Sequence, residues 1–390
     1  VLRNEELGDI AMKISEITVH PISYRVPQGT SFRMGVGRMV KRDAVLVKVI
    51  TNDGLVGWGE AHHGRSPGAI AKLIETTLRP LIIGMDPRDT TGIWHRLYRG
   101  HLATHGFGAG TAIAISGIDL ALWDIRGKAV GWPVFRLLGG APRKLKAYAG
   151  GLTLGYQETG ALVEEAVSYV EAGYRALKLR LGDTPARDAA RVQAVRKALG
   201  DEIDILTDVN AAYDLDQIRQ LMPTLDDCNV GWLEEPFPPY DDYAYGKAAA
   251  LGRTPIAAGE NHYTRYEFQR LIEQDAVTVL QPDLSKCGGM TEILRIAAMA
   301  SARKLKIHPH SSMTALNMAA SLHLLAAIDN PGYFEADATA DNPFRTDMVS
   351  GRLDVDADGM IAPPEAPGLG MEVDEDFVAA HPLIEGPCYV

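Results

Sequence analysis

From Lys13 to Tyr24 the chain is β-prone, and Asp43–Thr51, the Asn52-Asp53-Gly54 turn and Leu55–Glu60 read as a strand, a Gly-containing turn and a second strand. Three helical stretches follow, around Ala69–Ile82, Thr90–Tyr98 and Gly110–Ala129. In the last, apolar and small residues recur at helical spacing, with Trp123 and Ile125 among them, and Gly131-Trp132-Pro133 supplies the stop. A β-meander followed by helices predicts an α+β unit.

Beyond Leu138-Gly139-Gly140 the pattern becomes short strand, loop, helix, repeated. Strands are predicted at Lys146–Gly150, Ala176–Leu181, Ile203–Val209, Gly231–Glu234, Pro255–Ala258, Ala276–Leu280, Lys306–Ile307 and Gly332–Glu335. Helices fall between them, for example Leu162–Ala172, Pro185–Leu199, Arg265–Gln274 and Gly289–Arg303. Alternating strand and helix signals a parallel sheet, and eight units close into a (β/α)₈ barrel. From Arg352 the tail is again β-prone and turn-rich, and its natural place is back against the first unit. The predicted division is a capping unit over 12–140, a barrel over 141–350 and a returning segment over 351–390.

Composition narrows the class. With 390 residues and a formal charge of −11, the chain has material for a large core, no basic block and no aromatic–basic alternation, so nucleic acid is excluded as a partner. No apolar run of about 18 residues predicts a membrane span. Cys228, Cys287 and Cys388 lack C-x-x-C spacing and read as cytosolic thiols, with Cys287 a packing residue. The opening segment lacks the regions of a secretory signal, and the expected compartment is the cytoplasm.

Chemistry enters at the strand ends. Asp208 in TDVN, Glu234 in WLEEP and Glu260 in AGEN each close a candidate strand. Side chains there converge on one mouth in a barrel, and three carboxylates without His or Cys are hard oxygen ligands suited to Mg²⁺. Any one of them alone would read as a solvated loop charge; three in consecutive register do not. Asp283 in QPDLSKCGG and His310 in HPHSS end the next two strands. A carboxylate bonded to one imidazole nitrogen fixes the tautomer and raises the basicity of the other.

These motifs, in this order, resemble the enolase superfamily and within it the mandelate racemase subgroup, over nearly the whole chain. The resemblance implies a modified (β/α)₈ barrel of the TIM type, an α+β capping domain and a C-terminal segment completing the cap. It implies Asp208, Glu234 and Glu260 as Mg²⁺ ligands, Asp283 and His310 as a general-base dyad, Glu335 as an acid bonded to the substrate carboxylate, and Asn210 near the substrate. The implied chemistry is removal of the proton α to a carboxylate to give an enediolate, with a fixed cation and donors stabilising the new charge.

One departure changes the expected outcome. The subgroup carries Lys-x-Lys at the second strand, whereas this chain has Lys178-Leu179-Arg180. A guanidinium stays protonated and is a poor base but a good carboxylate partner. Lys178, near Arg180 and the metal, is expected to have a depressed pKa and to serve as an auxiliary acid. With His310 the sole base, dehydration of an aldonate or aldarate fits better than racemisation. A racemase, epimerase or lactone cycloisomerase is the alternative, and a non-catalytic metal-binding homologue a third. The Asp337 and Asp341–Arg345 segment resembles one in acid-sugar dehydratases and cycloisomerases. Specificity is expected from cap loops at Pro27–Val40 and Ala61–Ser66, with Phe32, Arg33, His62 and His63 as candidates; Leu102, His105 and Phe107 stay unassigned. The expected assembly is a symmetric homo-oligomer acting on a small carboxylate.

Overall fold

Three antiparallel strands, Ile14–Arg25, Lys41–Thr51 and Val56–Ala61, form the sheet of the cap, with Lys41–Thr51 in the middle. The computed structural model describes residues 12–27, 29, 33–104, 106, 108–311 and 313–390. Alternation in the middle strand divides two cores: Val45, Val47 and Val49 face the cap helices, while Ala44 and Leu46 join the core continuous with the barrel.

The helix Ala109–Val130 is buried on nearly every side because it lies between that sheet and a barrel helix, Gly289–Ala302. Gly59 makes the close approach: a Cβ there would stand 2.2 Å from the Gly117 carbonyl oxygen of the helix. On the other side Trp123 Nε1 donates to Thr291 Oγ1 at 2.9 Å, and Thr291 N donates to Asp119 Oδ2 at 2.8 Å. Burial pushes the Asp119 carboxyl up to about 7.

Eight parallel strands follow in sequential order, at Leu145–Gly150, Ala176–Arg180, Asp204–Asp208, Leu233–Glu234, Ile256–Ala258, Val279–Leu280, Lys306–Ile307 and Phe334–Asp337. The ring closes through the chain before the eighth strand. Ile307 N donates to the Asn330 carbonyl at 3.0 Å, and Gly332 N donates back to Ile307 at 2.8 Å. Tyr148, Leu206 and Trp232 pack inside the barrel with Ala176 and Ala257 and fill it below the mouth.

The fold class is as the sequence predicts, with two local corrections. The Ala69–Ile82 helix runs regularly only over Pro67–Leu73, then widens to a π turn at Ile74–Leu78 and tightens to a 3₁₀ turn at Arg79–Leu81. Pro80 has no N–H and its ring obstructs the preceding turn. The tail does not return straight to the cap. Met360–Ile361 first pairs antiparallel with Leu145–Lys146 of the first barrel strand. Only then does it reach the cap, where Leu369 N donates to Asp124 Oδ1 at 2.8 Å and Val40 N donates to the Cys388 carbonyl at 2.8 Å. Among the described residues no helix is long and apolar enough to cross a membrane.

Candidate active site

Register aligns the first part of the site. Arg180 pairs with Asp208 and Asp208 with Glu234 across strands two, three and four, so the three side chains share one end of the sheet. Glu260 follows the fifth strand after Gly259, whose Cβ would lie 2.6 Å from the Gln281 backbone, so the chain passes close against its neighbour. Asn210 adopts φ 48°, a left-handed geometry that Asn tolerates, and its side chain donates to Asp208 Oδ2 at 3.1 Å.

The expected residues come together, and their partners are specific. Lys178 Nζ lies 3.0 Å from Glu234 Oε1, 2.9 Å from Glu335 Oε1 and 3.5 Å from Asp208 Oδ2. Arg180 pairs with Asp208 through Nη1 and donates Nη2 to the Gly151 carbonyl at 2.7 Å. His310 Nδ1 is 2.6 Å from Asp283 Oδ2, and its Nε2 is 2.9 Å from Glu260 Oε2. Asp283 is fixed in turn: its Oδ1 accepts from Ser285 N at 2.7 Å, Ser285 Oγ at 2.6 Å and Asn317 Nδ2 at 3.1 Å.

These contacts set the charges of the site without a metal ion. Burial presses the Lys178 ammonium down, but Glu234 and Glu335 outweigh both burial and Arg180 and hold its pKa well above the usual range. Without a metal ion Lys178 is thus held as a cation, whereas the expectation of a softened acid placed it beside both Arg180 and the metal. Burial opposes ionisation of Glu335, yet Lys178, His310 and Arg180 bring it down to about 2. Glu335 lies beneath the cleft surface and accepts from Ser311 N at 3.1 Å. Burial also works against the His310 imidazolium, and Glu260 with Glu335 and Asp283 carries it the other way, well above 6.5.

Above this layer opens a cleft of about 590 Å³. Arg180, Asn210, Glu260 and His310 border it, whereas Lys178, Asp208, Glu234, Asp283 and Glu335 lie beneath. The cap supplies Met34, Val36, Met39, Arg42, His62 and His63. Of the cap-loop candidates, His62 and His63 border the cleft, Arg33 is exposed away from it, and Phe32, His105 and Phe107 lie outside the described residues. Burial drives His63 down to about 3, so its ring is neutral.

Sequence reasoning missed several groups. Glu235, Asn261 and Lys286 border the cleft, with Asn261 Nδ2 donating to Glu235 Oε2 at 2.8 Å and Lys286 Nζ 3.5 Å from Glu260 Oε1. Glu235 and Lys286 stand inside WLEEP and PDLSKCGG, so reading every charged position of those motifs would have found them. Arg42 on a cap strand and Tyr389 in the tail carry no local signal. Cys287 is buried with its thiol pushed well up by burial, in keeping with packing.

The donor set of Asp208, Glu234 and Glu260 fits a hard divalent cation: three carboxylates, two buried and Glu260 at the cleft border, with Glu234 raised to about 7 by burial first and by the charges of Asp208, Glu335 and Glu260. A cation among them relieves that repulsion. In the structure each acid is instead turned to a protein cation, and their ligand atoms are not gathered within 4.8 Å. Among the described residues the group that is so gathered is Asp43, His63 and Cys388. That group is already satisfied, because Lys41 pairs with Asp43 at 2.9 Å and Arg65 N donates to His63 Nδ1 at 2.9 Å.

Comparison with known proteins fits this geometry. Residues 16–139 match the family described as mandelate racemase / muconate lactonizing enzyme, N-terminal domain, and residues 161–377 match enolase C-terminal domain-like. The chain belongs to the enolase superfamily. A superfamily member from Polaromonas sp. JS666 has the same fold at a TM-score of 0.95 and 54% identity, over 97% of this chain and 100% of that one. D-galactarolactone cycloisomerase of Agrobacterium fabrum is 34% identical over 94% of this chain and 97% of its own length. D-galactonate dehydratase of Verminephrobacter eiseniae is 33% identical over 94% of both. A racemase from Streptomyces coelicolor A3(2) with bound magnesium shares the fold at a TM-score of 0.86 and 26% identity, over 95% of this chain and all of that one.

Proposed function

We propose that this superfamily member removes the proton α to the carboxylate of an acid sugar and eliminates the β-hydroxyl, yielding a 2-keto-3-deoxy acid. The observation that carries the reading is the asymmetry of the site: a carboxylate-backed imidazole, Asp283–His310, on one side and a guanidinium, Arg180, on the other. The dehydratase and cycloisomerase relatives support it.

Asp208, Glu234 and Glu260 would hold Mg²⁺, which supplies fixed positive charge for the substrate carboxylate. With Glu260 engaged by the cation instead of by Nε2, the His310 ring would be free to take the α-proton at Nε2, while Asp283 holds Nδ1 and the ring orientation. Arg180 and Lys286, both at the cleft, offer donors to the charge that develops on the carboxylate. The imidazolium then returns its proton to the departing β-oxygen, so the C–O bond breaks as water forms and the enol product tautomerises to the keto acid. Among the described residues of the floor, the carboxylate-backed base is His310 and the second-strand position holds Arg180, which suits elimination better than inversion.

Cycloisomerisation is the second reading, favoured by the relative that acts on galactarolactone. There the leaving oxygen stays tethered and mass is unchanged. A mass-resolved screen of the Mg²⁺-loaded protein against aldonic, aldaric and uronic acids and their lactones separates the two. Loss of water supports dehydration, a constant-mass product moves the assignment to cycloisomerisation or epimerisation, and metal binding without turnover of any acid leaves a non-catalytic homologue. The reading places the protein in the cytoplasm as a homo-oligomer.

A further inference from the structure

The roof of the cleft holds a guanidinium that proton transfer does not use. Arg42 opens the middle cap strand, is 1% exposed and borders the cleft. Its acidic partner, Asp337, is reached only through Nη1 at a long 3.4 Å. Asp337 is satisfied elsewhere, accepting from Asn342 Nδ2 at 2.6 Å and Thr339 N at 2.9 Å. Arg42 Nε and Nη2 have no hydrogen-bond partner among the described residues. Those two nitrogens form the side-on fork of a guanidinium, whose spacing matches the two oxygens of a carboxylate.

The surroundings strengthen the point. Met34, Val36 and Met39 border the same region and exclude water from it. Among the described residues the arginine and lysine side chains bordering the cleft are Arg42, Arg65, Arg180 and Lys286, and of these Arg180 and Lys286 are already paired with Asp208 and Glu260.

We propose that Arg42 is the anchor for a second carboxylate, so that the preferred substrates are dicarboxylic acid sugars, the aldarates or their monolactones, rather than aldonates. This rests on the proton-abstraction reading for the reacting end of the molecule. The carboxylate next to the labile proton lies at the barrel floor, and the far one takes the Nε–Nη2 fork of Arg42.

Two measurements test it. Initial rates with Mg²⁺ are compared for each aldarate and the aldonate of the same configuration, galactarate beside galactonate first. The wild type is expected to favour the dicarboxylate in kcat/KM by about 100-fold, and Arg42→Gln to cut that ratio by about tenfold or more, chiefly through KM. The double variant Arg42→Gln/Asp337→Asn, which keeps charge balance in the buried pair, is expected to show the same loss. Separately, calorimetry with the inert pair glutarate and pentanoate reads the subsite without turnover: glutarate binds the wild type about tenfold tighter, and the advantage disappears in both variants. An aldonate preference, or a glutarate advantage unchanged by the variants, overturns the inference. Absence of α-proton exchange on every acid sugar, with the Arg42-dependent glutarate advantage intact, overturns the parent reading while upholding the subsite.

Discussion

The floor and the roof of the cleft are built on opposite principles. At the floor the charged groups are interlocked: Lys178 serves Glu234 and Glu335, Arg180 serves Asp208, and His310 spans Asp283 and Glu260. At the roof the cap and tail contribute methionines, neutral histidines, Tyr389 and an incompletely partnered Arg42. A network whose members compensate one another is rigid and intolerant of single deletions, because each removal strands a buried charge. A surface of loosely engaged groups can change its ligand without endangering the fold. On the proposed reading, the division between reaction and recognition follows the division between barrel and cap.

The largest expected contrast comes from His310→Asn. Loss of the imidazole is expected to lower kcat by about 10³-fold or more, with the folded state retained by circular dichroism. A loss under tenfold would move the base elsewhere on the floor.

Arg180→Lys keeps a cation near Asp208 but gives up the fork and the Gly151 contact. It is expected to lower kcat/KM by about 10²-fold and to introduce slow hydrogen exchange on the opposite face of the α-carbon, read by NMR of recovered substrate in D₂O. Wild-type protein racemising substrate as fast as it turns over would contradict the one-sided site.

A roof substitution is expected to act differently. Tyr389→Ala opens the cleft wall and is expected to raise KM by about tenfold while kcat changes less than about threefold. An equal fall in kcat would place Tyr389 with the floor.

The smallest effect concerns stability. Burial lowers His308 to about 3, and lowers His262 and His323 to about 4, so all three fold as neutral rings. His308 Nδ1 accepts from Tyr333 N at 3.0 Å and His323 Nδ1 from Phe135 N at 3.3 Å, roles that a proton removes. Because these folded pKa values lie below the unfolded 6.5, the unfolded chain binds more protons in between. Their contribution is full above 6.5 and is lost as pH falls toward 3 to 4. Glu60 and Asp119 have the opposite sign: raised to about 8 and about 7, they favour the fold below about 4 and lose that favour as pH rises through those values. Urea unfolding at pH 4, 5, 6.5 and 8 is expected to show the maximum near 6.5, and His323→Asn to flatten the acid side.

Most of the floor was legible from sequence, since a strand-end carboxylate keeps its place relative to the strand and the strand recurs about once per repeat. Asp208, Glu234, Asp283 and His310 are of this kind. What sequence order could not supply was the sum of charges on each group. Lys178 was read against Arg180 and the metal, without the three carboxylates that surround it and, with no metal present, raise its pKa. The roof was poorly legible because it joins distant segments: Met39 bridges to Tyr389, and Arg42 reaches Asp337. No local pattern announces such a pairing. The tail's first partner was missed for the same reason, as a two-residue strand at Met360–Ile361 carries too little alternation to name its neighbour.

The central claim is that one imidazole, on one face, removes the α-proton of an acid sugar. Its most direct test follows hydrogen at the α-carbon of acid sugars labelled there with deuterium, comparing Mg²⁺-loaded wild type with His310→Asn. The account predicts that the wild type releases the label with a rate reduced by the isotope, that unreacted substrate keeps its configuration, and that His310→Asn releases none. Label lost equally from both proteins, or inverted substrate accumulating with the wild type, would contradict it.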